Sequence, residues 1–351
     1  MLDRSTGLLL VALLAAGCSV SPARERTSTT AGAIIEGRES GPEQDAVVLL
    51  FHDGPGHQTC TATMLAPNLL VTARHCVGSL AESGAVEDWD ARDLRVFVGR
   101  EAFSVLREDP TRSAASGREL VVPSSRSFYP DVALVVLDRA LDTPVAPMRI
   151  DGGASVGERL DVVGFGLDES GTRPAARMER TGLEIYALGP GRSRIGEPLA
   201  KGELVFGEAA CSGDSGGPAF SSATGALVAV ASRVGNGTAP NAEAPAAFCI
   251  GDDTDDVYTD LSPVTDVVSR AFVAAGASPR LEQGGPASDG TLASAPLPAG
   301  ASAAPPPSVV ATRGGCSASA STSAPSGAIA AMIAAGLLAR LLDRRRTSAR
   351  S

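Results

Sequence analysis

The sequence has no excess of positive charge: 30 Lys and Arg stand against 40 Asp and Glu, a formal charge of -10 at pH 7. Such a surface does not attract a polyanion, and no basic patch interrupts it, so nucleic acid is excluded as a partner and charge alone draws no anionic membrane. Also missing is a clean apolar run of the roughly 20 residues that a permanent membrane-spanning helix needs. The terminal runs Leu8 to Gly17 and Ala328 to Ala339 both fall short, and the second lengthens only by tolerating Arg340. Histidine is scarce, since His52, His57 and His75 are the whole supply. A mechanism that needs an imidazole base therefore has three candidates. His52 and His57 sit five residues apart in the Gly-rich loop Phe51 to Gln58 with no other ligands clustered nearby, so they read as surface histidines. No metal or cofactor is expected.

What remains is enough for one folded core of about 240 residues with processing segments around it. Residues 1–18 read as an export signal: Arg4, a short apolar run, then the small residues Ala15-Ala16-Gly17 before Cys18. The pattern resembles a lipoprotein box with Ala15 where Leu is preferred, so Cys18 is the expected lipidation site. Residues 19–33 are polar without apolar periodicity and read as a propeptide or tether. Residues 276–326 are dominated by Ala, Pro, Ser and Gly and read as a stalk. Residues 327–351 carry the hydrophobic run and the Arg344-Arg345-Arg346 cluster, a sorting or anchor segment with its positive end held on the cytoplasmic side. With Gly314-Gly315-Cys316 upstream, the layout resembles the C-terminal sorting tails of myxobacterial surface proteins, and Cys316 is the expected sorting residue. The resulting expectation is an exported protein held at the cell envelope or outer surface by a terminal membrane anchor.

Between 34 and 275, short apolar runs bounded by Gly, Pro, Asp and Ser recur: 46–51, 69–72, 94–98, 120–122, 132–137, 160–165, 204–206, 226–231 and 257–259. Many short strands at this spacing predict an all-β sandwich or barrel. One helix is predicted near the end, with Ser262 as N-cap, Pro263 in the first position, apolar Val264, Val267, Val268, Ala271 and Phe272, and Gly276 as its stop.

The chemistry is concentrated in Cys211-Ser212-Gly213-Asp214-Ser215-Gly216-Gly217-Pro218. A nucleophilic serine needs an exposed hydroxyl on a tight turn whose N–H groups converge on a developing oxyanion, and glycines at 213, 216 and 217 permit that backbone. Serine also needs a base, and the base needs a carboxylate to hold its tautomer. His75 lies in Leu70-Val71-Thr72-Ala73-Arg74-His75-Cys76, and Asp131 opens Asp131-Val132-Ala133-Leu134. Together the three segments resemble the motifs of trypsin-like (chymotrypsin-family) serine proteases, except that Arg74 replaces the usual Ala. The chain order His, Asp, Ser is also that of the family, which is the standard worked case of such a triad. The resemblance covers Ile34 to about Ala275, with Val163-Gly164-Phe165-Gly166 similar to the family's inter-barrel strand.

The resemblance implies two six-stranded antiparallel β-barrels followed by a C-terminal α-helix. It implies Ser215 as nucleophile, His75 as base, Asp131 as its partner, and the N–H groups of Gly213 and Ser215 as the oxyanion hole. Cys60, Cys76, Cys211 and Cys249 allow three connectivities from sequence alone, and the resemblance implies Cys60 with Cys76 and Cys211 with Cys249. Ile34-Ile35-Glu36-Gly37 resembles the start of mature family members, which implies a zymogen whose freed Ile34 amine pairs with Asp214. Ala33 before it is not basic, so the activating protease is expected to be elastase-like or a signal-processing enzyme. The implied specificity pocket draws on Ala209, Ser232, Val234 and Asp256. Ala209 and Val234 suggest small or medium aliphatic side chains, while Asp256 suggests attraction for a basic one. The run Asp252 to Asp256 otherwise reads as a solvated loop. Protein or peptide substrates follow, the rival being an inactive surface binding module on the same fold, favoured only by Arg74 and Ala33.

Overall fold

A computed structural model describes residues 34–283. The export segment with Cys18, the 19–33 tether, most of the expected stalk, Cys316 and the basic tail lie outside the described residues.

The first half is a closed barrel of β1 (Val47–His52), β2 (Gln58–Ala66), β3 (Leu69–Thr72), β4 (Leu94–Phe97), β5 (Ala115–Val121) and β6 (Ala133–Leu137), in the order β1-β2-β3-β6-β5-β4, with β4 pairing back to β1. Strands β1, β3 and β6 are buried on both faces. Val48 and Leu50 point into the barrel with Met64, Leu70 and Val135, while Val47 and Leu49 point outward into a second core with Val163, Phe165 and Phe220. Alternate side chains of a strand leave on opposite faces, so two-sided burial produces an unbroken apolar run rather than an alternation.

The second half is one antiparallel sheet containing β7 (Arg159–Gly164), β8 (Met178–Glu184), β9 (Glu203–Phe206), β10 (Pro218–Ser221), β11 (Leu227–Gly235) and β12 (Asp255–Asp260) in the order β8-β7-β10-β11-β12-β9. Arg38–Glu39 and Ala187–Leu188 extend it at either edge. A helix α1 (Ala102–Glu108), not anticipated from the sequence, links β4 to β5, and α2 (Thr265–Ala275) follows β12. The closed six-strand barrel and the C-terminal helix agree with the two-barrel expectation.

Two details of α2 differ from expectation. Ser262–Val264 forms a separate 3-10 turn, and α2 itself starts at Thr265 without a side-chain cap. Its stop is as read: Gly276 is left-handed, with φ 64°. Packing also continues beyond 275. The backbone N–H of Glu282 donates to the Met148 carbonyl, and its carboxylate meets Arg149, which also holds Glu158.

Candidate active site

His75 is presented by a short 3-10 turn, Arg74–Cys76, directly after β3. The turn is pinned from both sides. Cys76 is bonded to Cys60 of β2. Arg74, only 3% exposed, donates through Nε and Nη2 to the Asp88 carboxylate and through Nη1 to the carbonyls of Pro123, Ser125 and Ser127. The same segment then places Phe128 edge-on to the His75 ring, at 6.4 Å, and leads into Asp131.

Asp131 is buried two residues before β6 and receives the His75 backbone N–H at Oδ1, 3.0 Å, and His75 Nδ1 at Oδ2, 2.8 Å. A carboxylate can only accept, so Nδ1 carries the proton and a neutral His75 keeps Nε2 free as a base. Oδ2 also accepts from Ser232 Oγ at 2.7 Å. Ser232 is the extra residue of a bulge in β11, between the pairs Ala231 with Tyr258 and Arg233 with Val257. A bulge re-aims a side chain that would otherwise follow the pleat. Burial opposes charge on both partners, but each charge favours the other: the His75 pKa is raised above 6.5 and that of Asp131 lowered below 3.8, Ser232 assisting the latter.

The segment 211–217 is a pair of tight turns, closed by Asp214 N–H to Cys211 O and Gly217 N–H to Asp214 O. Gly213 has φ 106° and Gly216 φ 75°, and a Cβ at 216 would lie 2.0 Å from Thr72 Oγ1. These are conformations and approaches that only glycine tolerates. Both halves of the molecule hold the segment. From the barrel, Thr61 N–H donates to Ser215 O and Thr61 Oγ1 to Gly213 O. From the sheet, Gly216 N–H and Gly217 O pair with Ala231. Cys76 Sγ lies 3.6 Å from Ser215 O, so the 211–217 segment abuts the turn that carries His75. Among the described residues, the Gly213 and Ser215 N–H groups have no acceptor, and Ser215 Oγ makes no hydrogen bond.

Asp214 is wholly buried and accepts from Gly166 N–H and Cys211 N–H; burial pushes its carboxyl up to about 6. Ile34 is fully buried in the core of the second sheet, and Ile35 N–H donates to Ala209 O at 2.6 Å. Cys211 and Cys249 are bonded.

Three expectations change. His52 is buried and stacked on Trp89 at 3.7 Å rather than lying at the surface, although His57 is exposed. The acidic run is a solvated loop only at Asp252 and Asp253, because Asp255 and Asp256 are buried in β12, where Asp255 accepts from the Tyr186 hydroxyl and Ile195 N–H. Asp256 has no exposed surface; Oδ2 accepts from Ala210 N–H, Oδ1 has no partner, and burial raises its pKa well above 3.8. An acid with no exposed surface offers little attraction to a basic side chain. The Cys60, His75 and Cys76 donor atoms lie within 4.8 Å of one another, but both sulfurs are in the disulfide and do not form a metal site. Sequence reasoning missed the anchoring by Thr61, which no motif marks, and the role of Arg74, whose signal was its departure from the family motif.

Comparison with known proteins places the chain in a family. A family model described as "Trypsin" matches residues 34–249. The chain is 26% identical to the snake venom serine protease Haly-2 of Gloydius brevicauda over 189 residues, 50% of this chain and 67% of the relative. It is 26% identical to chymotrypsin-like elastase family member 1 of Canis lupus familiaris over 228 residues, 60% of this chain and 82% of the relative. The solved structure of mouse neuropsin superposes with a TM-score of 0.49 at 19% identity, covering 68% of this chain and all of that one. Since the family model spans more than half of its length, the chain belongs to the trypsin family and is a serine endopeptidase.

Proposed function

We propose that the endopeptidase works through His75, Asp131 and Ser215, and that it is made as a zymogen. Ser215 Oγ attacks the substrate carbonyl while His75 Nε2 takes its proton, and the imidazolium so formed is stabilised by Asp131. The tetrahedral oxygen is received by the N–H groups of Gly213 and Ser215. His75 then returns the proton to the leaving amine, and water releases the acyl group by the same route. The observation that carries the reading is the Nδ1 to Asp131 contact of 2.8 Å beside a nucleophile turn with two unpaired N–H donors. Losing one such donor in a comparable site costs about 3–4 kcal/mol of transition-state stabilisation.

Activation by cleavage before Ile34 would supply an ammonium to Asp214, a buried carboxyl that otherwise stays costly to ionise. Ala209, Val234 and the covered Asp256 favour small or medium aliphatic side chains before the cleaved bond. Export and lipidation at Cys18 belong to the uncut chain; cleavage before Ile34 separates Cys18 from the protease, so the activated form is held at the cell envelope through the C-terminal segment, with Cys316 as the sorting residue. The test is mass-spectrometric mapping of a fluorophosphonate probe on the full chain and on protein beginning at Ile34. Labelling at Ser215 in the Ile34 form alone supports triad and zymogen. No labelling in either form points to an inactive binding module, and labelling of wild type with unchanged hydrolysis in Ser215→Ala overturns the assignment.

A further inference from the structure

We infer that Arg173 is a positioning residue for the oxyanion hole, locking the Ser212–Gly213 peptide in the orientation that turns the Gly213 N–H toward the reacting carbonyl. The inference rests on the proposed roles of Ser215 and Gly213.

The carbonyl of Ser212 and the N–H of Gly213 belong to the same planar peptide and point in opposite directions. A positive φ at the third position of the turn Cys211 to Asp214, 106° at Gly213, makes it a type II turn. Rotation of that one peptide gives a type I turn, in which the Ser212 carbonyl occupies the direction now taken by the N–H, and the hole is lost. The two turns are close in energy for a Gly at this position, so whatever holds the carbonyl outward decides between them.

Two donors hold it. Leu167 N–H reaches Ser212 O at 3.0 Å and Arg173 Nη2 reaches it at 3.1 Å. The guanidinium is in turn fixed by three neighbours: Nη1 donates to Thr59 Oγ1 of β2, its face packs 5.1 Å from the Phe103 ring centre of α1, and it lies flat over Gly213. A Cβ at Gly213 would be 2.6 Å from both terminal nitrogens. Its charge also acts on the buried Asp214 one residue along, favouring the ionised carboxylate against burial. Arg173 therefore favours the formed hole by a bond that the type I turn cannot keep.

The experiment compares wild type, Arg173→Ala and Arg173→Gln on tripeptide anilides with Ala, Leu or Arg before the bond, and on the matching peptide aldehydes, whose adducts with Ser215 place an oxygen in the hole. It uses the form of the protein that probe labelling shows to be active. A hydrogen bond from a charged donor corresponds to about a tenfold effect. Arg173→Ala should therefore lower kcat about tenfold, weaken the aldehyde by the same factor and leave KM within about twofold, with Arg173→Gln recovering part of the loss. A folded Arg173→Ala with unchanged kcat and aldehyde affinity overturns the inference while leaving the enzyme reading intact. So does a change confined to KM, which would make Arg173 a substrate contact. Wild type that neither hydrolyses the anilides nor labels at Ser215 removes the enzyme reading itself, and the inference with it.

Discussion

Replacing Arg74 by Ala takes away the donors of one carboxylate and three carbonyls at once. The Asp88 side chain is 30% exposed and can turn to water, so most of the loss falls on the carbonyls of Pro123, Ser125 and Ser127. A buried acceptor left without a partner costs about 1–3 kcal/mol. That of Pro123 is buried and the other two are half-buried, and the missing stem leaves a cavity. The sum is about 4 kcal/mol, within the range for removing one partner from a buried ionic network. In a domain of this size each kcal/mol moves Tm by about 2–4 °C, so Arg74→Ala should melt roughly 8–16 °C below wild type. Arg74→Lys keeps the charge but offers a single point donor in place of a fork, and should recover less than half of the difference. Thermal unfolding followed by circular dichroism measures both. An Arg74→Ala shift below about 2 °C would refute the reasoning, because the 123–127 segment would then hold its own shape without the guanidinium.

Gly166→Ala places a Cβ 2.2 Å from Asp214 Oδ2, against a carboxylate fixed by two backbone donors, and should cost about 1–3 kcal/mol by overpacking while reducing kcat. Denaturant melts and steady-state kinetics report the two effects. Ser232→Ala removes one neutral donor from Asp131 and should lower kcat/KM by about fivefold to tenfold without a matching loss of stability, measured on a single anilide. The acid limb of kcat/KM should have its midpoint above 6.5, because His75 must be neutral to accept a proton and its pKa is raised; a midpoint below 6 would contradict the pairing with Asp131. Asp214 has a folded pKa raised from 3.8 to about 6, so its contribution to stability is fully present below the unfolded value and lost as pH rises through 6. Between pH 4 and pH 8 the full chain should lose about 2 kcal/mol from this group, and protein beginning at Ile34 should lose much less. Equal pH profiles for the two forms would count against an ammonium at Asp214.

Much of this was legible because the physical demand is local. The strands β1 and β6 are apolar runs because both of their faces are buried. The octapeptide around Ser215 is dictated by turns that admit only glycine at 213 and 216. Where a polar residue is buried for a partner distant in sequence, the pattern fails. Strand β2 begins Gln-Thr-Cys-Thr and falls in none of the apolar runs, yet Thr61 and Thr63 are fully buried and Thr61 is spent on the turn of 211–217. Strand β8, Met-Glu-Arg-Thr-Gly-Leu-Glu, is preceded by Arg177, buried by bonds to Ser40, Gly41, Asp45 and Val47. Asp255 was indistinguishable from Asp252 and Asp253, and only the family resemblance set Asp256 apart, until the strand register buried both. Ser232 was recognised as a pocket residue, but its bond to Asp131 depends on a bulge that no composition signals.

The arrangement also makes the site a property of the docking between halves rather than of either half. His75 and Asp131 are carried by the barrel, while Ser215 is on the loop before β10 of the second sheet. What joins them is backbone: Thr61 reaches from β2 to Ser215 and Gly213, and its hydroxyl accepts the Phe165 N–H of the sheet. Gly164, Gly166 and Gly216 all sit where a Cβ would strike Asp214 or Thr72 within 2.2 Å. Any displacement of one half against the other must therefore break the hydrogen bonds that shape the nucleophile turn before it separates His75 from Ser215. Catalytic geometry should then be lost at lower denaturant than the secondary structure of either half, and Ser215 labelling should report that loss first.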